Sequence, residues 1–84
     1  SSSIAVNVSG QLLAYSSALT TDQAESIITN PSEHWFFRQT IRSGRTTLGE
    51  AKDSNSGAHV FIGTPVFSRS IYPRIDAVLI AKVD

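Results

Sequence analysis

The stretch NPSEHWFFRQTIRSG (Asn30–Gly44), continued by RTTLGEAKDSNSG (Arg45–Gly57) and AHVFIGTPVF (Ala58–Phe67), decides how this chain folds. Asn30 suits a helix N-cap, Pro31 the first helical position, and Glu33 the third, where its charge complements the helix dipole. These signals predict a helix over Pro31 to Arg42, stopped at Gly44 as the C′ residue. His34, Phe37 and Ile41 fall on one stripe of it, Trp35, Arg38 and Arg42 on the next, and Phe36 widens the apolar arc. The aromatic side is expected to pack on a sheet. Thr46–Ala51 has weak strand character, and Lys52–Gly57 is a turn by composition. Ala58–Ser68 is the longest strand candidate. Val60, Ile62, Thr64 and Val66 share one face of it; His59, Phe61, Gly63, Pro65 and Phe67 share the other. Both faces carry apolar side chains, which predicts cover on both sides. Gly63 and Pro65 predict a bulge, or a place where something approaches the backbone closely.

The flanking segments read as strands that pair beside this one. Ile4–Val8 is β-branched at alternate positions. Ser9-Gly10 and the apolar run Gln11–Ser17 then complete a hairpin signal. Thr20 with Gln23, and Asp22 with Glu25, are overlapping capping boxes ahead of a short helix from Gln23 to Ile28 that buries Ala24, Ile27 and Ile28. Arg69–Arg74 is a loop, and Ile75–Val83 alternates as a final strand. Strands flanking a helical middle predict an α+β domain with an antiparallel sheet of about five strands.

Leu, Ile, Val and Phe supply 23 of the 84 residues, above the fifth or so below which chains tend to be disordered. Seven basic residues balance seven acidic ones, so the electrostatic footprint of a nucleic-acid binder is missing. Without cysteine there is neither a disulfide framework nor a thiolate metal site. No apolar run is long enough for a membrane span. With three serines at the start, no initiating methionine and an apolar strand running up to Asp84, residues 1–84 read as one domain excised from a longer protein.

In order and spacing, these segments resemble the Cache family of PAS-like extracytoplasmic sensor domains. The hairpin turn Val8-Ser9-Gly10-Gln11-Leu12-Leu13 is similar to the family's early Gly-containing turn. The helix word Trp35-Phe36 through Ser43-Gly44, the turn Asp53–Gly57, the strand Val60–Val66 with Pro65-Val66, and Ala77–Val83 follow in the family's sequence. The resemblance implies a PAS-like five-stranded antiparallel sheet with helices inserted between strands 2 and 3. It also implies a non-enzymatic sensory module in a membrane-anchored bacterial signalling protein, lying in the periplasm or outside the cell. Two departures stand out. The family's long N-terminal helix has no counterpart here, which leaves one sheet face open to a partner, another domain or a lost segment. Where amino-acid-binding members carry an arginine two residues before the tryptophan, this chain has Glu33, which disfavours an amino-acid ligand held by its carboxylate in that way.

The resemblance implies a ligand pocket between the aromatic helix, residues 46–57 and the 60–66 strand. Its expected lining is Glu33, Trp35, Phe36, Asp53, Phe61 and Gly63. Four of them also have a structural reading. Trp35 would equally anchor helix to sheet, Phe36 suits the core, Asp53 suits its turn, and Glu33 is explained by the helix start. Glu33-His34 are adjacent, so their side chains diverge by about 100°, and neither a catalytic constellation, a metal set nor a cofactor motif is recognisable. The expected partners are a small-molecule ligand or, as the alternative reading, a second copy in a ligand-free dimerisation module.

Overall fold

The structure, a computed structural model, describes residues 2–53 and 57–83, the side chains of 51–53 excepted. The elements in order are β1 (Ser2–Asn7), β2 (Leu12–Tyr15), α1 (Thr21–Ser26), a 3₁₀ turn (Pro31–Glu33), α2 (Trp35–Ser43), β3 (Thr47–Asp53), β4 (Gly57–Phe67) and β5 (Ile75–Val83). The strands form one antiparallel sheet in the order β2-β1-β5-β4-β3. The α+β class, the strand count and the position of the helices between the second and third strands are therefore as expected. None of the described helices is long and apolar enough to cross a membrane.

The β1–β2 connection is tied by the Asn7 side chain, whose Oδ1 accepts from the amides of Ser9 and Gln11 at 3.0 and 2.9 Å. Gly10 takes the positive φ of 88° that this tight return requires. Of the two overlapping cap patterns, Thr20 with Gln23 forms the capping box, so α1 begins at Thr21 and ends at Ser26 rather than spanning Gln23–Ile28. Ala24 and Ile28 are buried and Ile27 packs against the core.

The helix expected over Pro31–Arg42 is divided instead. Proline disfavours the right-handed helical region for the residue before it, and Asn30 turns to φ 49° without capping anything through its side chain. After one 3₁₀ turn His34 is extended, at φ −87° and ψ 137°. Arg38 Nη1 donates to the carbonyl oxygens of Glu33 (2.8 Å) and Ser32 (3.4 Å), which occupies acceptors that a continuous helix would give to its own amides. His34 Nε2 lies 2.9 Å from the Thr29 carbonyl oxygen and holds the break from the other side. Gly44 ends α2 in the left-handed conformation expected of it, at φ 66°.

Helix α2 lies on the sheet with Phe36, Phe37 and Thr40 buried. Of the expected stripe, Phe37 is buried and Ile41 packs against the core, and Phe36 widens the buried arc as far as Thr40. Phe36 stacks on Phe61 of β4, ring centroids 5.8 Å apart and planes within 3°. Two glycines make room for this. A Cβ on Gly49 would stand 2.3 Å from the Phe36 Cβ, and one on Gly63 would stand 2.7 Å from Thr40 Oγ1. What approaches the backbone at Gly63 is α2 itself. The strand pairs in register through Gly63 and Pro65; its irregularity comes later, between Val66 and Phe67. Ile4, Val6, Ala24, Ile28, Phe37, Val78 and Ile80 complete the core.

The packing is one-sided. Val60, Val66, Leu79, Val83 and Leu48 point away from α2 and are exposed, so the expected cover on both faces of β4 is not found among the described residues. A strand apolar on both faces satisfies the sequence pattern for double cover whether or not a second layer is present.

Candidate functional site

The six expected site residues separate into three groups. Phe36, Phe61 and Gly63 come together, but as solid core: the Phe36 ring occupies the space between α2 and the sheet where a pocket was expected. Trp35 begins α2 and points outward, 61% exposed. It lines an open depression of about 350 Å³ with Leu48, Gly49, Glu50 and Val60. Leu48, Glu50 and Val60 lie on the sheet face opposite α2, so this hollow wraps the β3 edge. Glu33, last residue of the 3₁₀ turn, is exposed and lines neither this hollow nor the cleft described next. Asp53 pairs with Gly57 through its backbone, and its side chain lies outside the described residues. The expected cavity between Trp35 and Asp53 lies partly outside the described residues; among the described ones, the turn of about 100° per residue puts Phe36, not Trp35, against the sheet.

A more concave site lies at the other end of the helical layer, between the β1–β2 turn and the segment from α1 to the 3₁₀ turn. Its volume is about 500 Å³, within the range of roughly 300–1,000 Å³ typical of small-molecule sites. The floor is made of Ile4, Val6, Ala24 and Ile28, all members of the buried core. Around it stand Ser9 and Gln11 from the hairpin turn, Glu25 from α1, and Thr29, Asn30 and Ser32. The two walls are fixed to each other. Tyr15 Oη and Thr21 Oγ1 share a hydrogen bond of 2.6 Å that ties β2 to α1. Gly10 approaches so closely that a Cβ there would stand 3.2 Å from the Ser32 amide nitrogen.

Chemically, the cleft offers an apolar floor with hydroxyls, amides and one carboxylate around it. Its described lining has no Arg, Lys or His to meet an anion. An uncharged or cationic organic molecule with a small apolar part fits that arrangement. Among the described residues no group of three or more His, Asp or Glu is placed to hold a metal ion. These rim residues were not singled out in the sequence because each stands in an ordinary turn or cap. Their signal is the pairing of two polar turns, Ser9-Gly10-Gln11 and Asn30-Pro31-Ser32, about twenty residues apart, and only tertiary packing joins them.

Compared with known protein families, curated protein sequences and solved structures, the chain has no significant match to any of them.

Proposed function

We propose that this chain is a non-enzymatic, PAS-like sensory module that binds a small uncharged or cationic organic molecule in the cleft between the β1–β2 turn and the α1–3₁₀ segment. The Cache-like order of sequence words supports the signalling role, and with it a membrane-anchored bacterial parent and a periplasmic or extracellular position. One observation carries the reading: the floor of the cleft is the molecule's own core. Ile4 and Val6 line the cleft from β1, and their register partners on β5 are Ile80 and Val78, both fully buried. A ligand seated on Ile4 and Val6 touches the core between the paired strands β1 and β5 and the helical layer. Differential contacts of this kind are what allow a ligand to bias a two-state element, and β5 would carry the shift toward an output domain.

A thermal-shift screen with uncharged and cationic small organic molecules, followed by calorimetry, tests this. The expected result is a ligand that raises the melting temperature by mass action and whose binding is abolished by Thr29→Trp, a bulky change on the exposed rim. For a cationic ligand, Glu25→Gln is expected to weaken binding by roughly 2- to 5-fold, as befits an exposed charge contact. A stabilising ligand indifferent to Thr29→Trp would place binding elsewhere and sink the assignment, as would a screen with no stabilising compound of either class.

A further inference from the structure

The uncovered face of the sheet is the largest feature that the cleft leaves unexplained. It presents Leu48 (65% exposed), Leu79 (44%), Val60 and Val66, with Ala77 and Ala81 lying low between them on β5. Contiguous apolar patches beyond a few hundred Å² mark interaction sites on soluble domains. Glu50, on the outermost strand, is the one charged side chain among those described on this face. The described arginines lie on α2 or in loops, so neither sign of charge steers a partner here.

We infer that this face packs against the same face of a second copy, forming a two-fold sheet-on-sheet dimer. Three observations select that occupant. First, size: with strands about 4.8 Å apart and a rise of about 3.3 Å per residue, the five strands offer on the order of 600 Å² in projection. That meets the lower end of stable interfaces, about 600 Å² per partner. A single helix, some 10–12 Å across, would leave about half the face uncovered, whereas an equal sheet covers all of it. Second, charge: a two-fold contact sets a patch against itself, which a charged face resists and this nearly neutral one permits. Third, relief: the low alanines of β5 between larger neighbours let the two sheets reach the spacing of about 10 Å at which inner faces interdigitate.

The dimer is independent of ligand binding in the cleft, which opens on the opposite side of the sheet. Sedimentation velocity of the 84-residue chain across a wide concentration range is expected to show a monomer–dimer equilibrium. Leu79→Lys should raise its dissociation constant at least ~100-fold, in the manner of a central contact residue. Ile71→Ser, in the exposed β4–β5 loop, should leave it unchanged. Because the chain has no cysteine, Leu79→Cys supplies a second readout that does not rely on a disruptive change: the alkylation rate of the introduced thiol should fall as protein concentration rises. A monomer at every concentration overturns the inference. So does a dimer that tolerates Leu79→Lys while the thiol of the Leu79→Cys variant is alkylated at a concentration-independent rate, the result expected of pairing through the β3 edge.

Discussion

Gly49 and Gly63 face α2 because a side chain at either position would occupy space that Phe36 and Thr40 hold. Thr40 can be buried there because its hydroxyl donates to the Phe36 carbonyl oxygen at 2.7 Å, which leaves no unpaired polar group at the contact. Phe36 therefore carries the helix–sheet contact, and its neighbour Trp35 does not. Burial of a phenylalanine side chain contributes about 1.5–3 kcal/mol, and truncation adds the cost of the cavity. Phe36→Ala is expected to destabilise the fold by about 3–5 kcal/mol, and Trp35→Ala by no more than about 1 kcal/mol, measured by urea denaturation. Gly49→Ala should cost at least about 1–3 kcal/mol through overpacking. In the Phe36→Ala background most of that cost should vanish, since the two positions are in contact and couple. Equal costs for the Trp35 and Phe36 truncations would show that the contact has been assigned to the wrong aromatic. Sequence alone does not separate these neighbours, because Trp35-Phe36-Phe37 offers aromatic side chains through most of a helical turn. The choice is made by glycines on two other strands.

At the scale of elements, boundaries were legible where a local signal is self-contained. Ile75–Val83 alternates without interruption and is β5 as read. Thr20 and Gln23 reach each other within one turn, and Gly44 needs only its own backbone freedom. The start of α2 was not legible, because Arg38 takes the carbonyls of Ser32 and Glu33 from a position five or six residues later. No propensity at Pro31 or Glu33 encodes that competition. The caps make a paired prediction. Thr20→Ala removes the acceptor for the Gln23 amide, 3.2 Å away, and is expected to cost about 1 kcal/mol. Gly44→Ala forces a side chain into the left-handed region and should cost a similar amount, about 1 kcal/mol. Asn30→Ala, by contrast, removes no cap hydrogen bond, although alanine tolerates φ 49° less well than asparagine. Its cost should therefore be only the backbone term. Equilibrium denaturation of the three variants, combined with the pair Asn30→Ala and Asn30→Gly, separates these contributions: Asn30→Gly should be close to neutral. A loss in Asn30→Ala above about 2 kcal/mol, more than the left-handed backbone alone accounts for, would reveal a side-chain cap at that position.

For the molecule as a whole, the sheet order puts the last strand, β5, at the centre, between β1 and β4. Ser2 pairs with Lys82 and Asn7 with Ala77, so one of the two inner ladders joins the first strand to the last. This arrangement was only partly legible: five antiparallel strands follow from counting apolar runs, but which run is central depends on contacts between residues far apart. The same limit hid the cleft, whose walls are joined by the hairpin, α1 and the 3₁₀ turn. The β1–β5 ladder also predicts how stability is distributed. Ile4, Val6, Val78 and Ile80 are buried on the helix side of β1 and β5, whereas β2 is four residues long and β3 is an edge. Local openings release the parts with least burial first, and the best-buried strands open only with the whole domain. Native-state hydrogen exchange should therefore find the slowest amides in β1, β5 and the paired part of β4, with an opening free energy equal to that of global unfolding. The amides of β2 should exchange at lower cost. Ile80→Ala, expected to cost about 2–5 kcal/mol, should lower the protection of all three central strands together by that amount, because they share one cooperative unit. Protection that falls in β5 alone, with β1 unaffected, would mean that the β1–β5 ladder does not hold the first and last strands in a single unit.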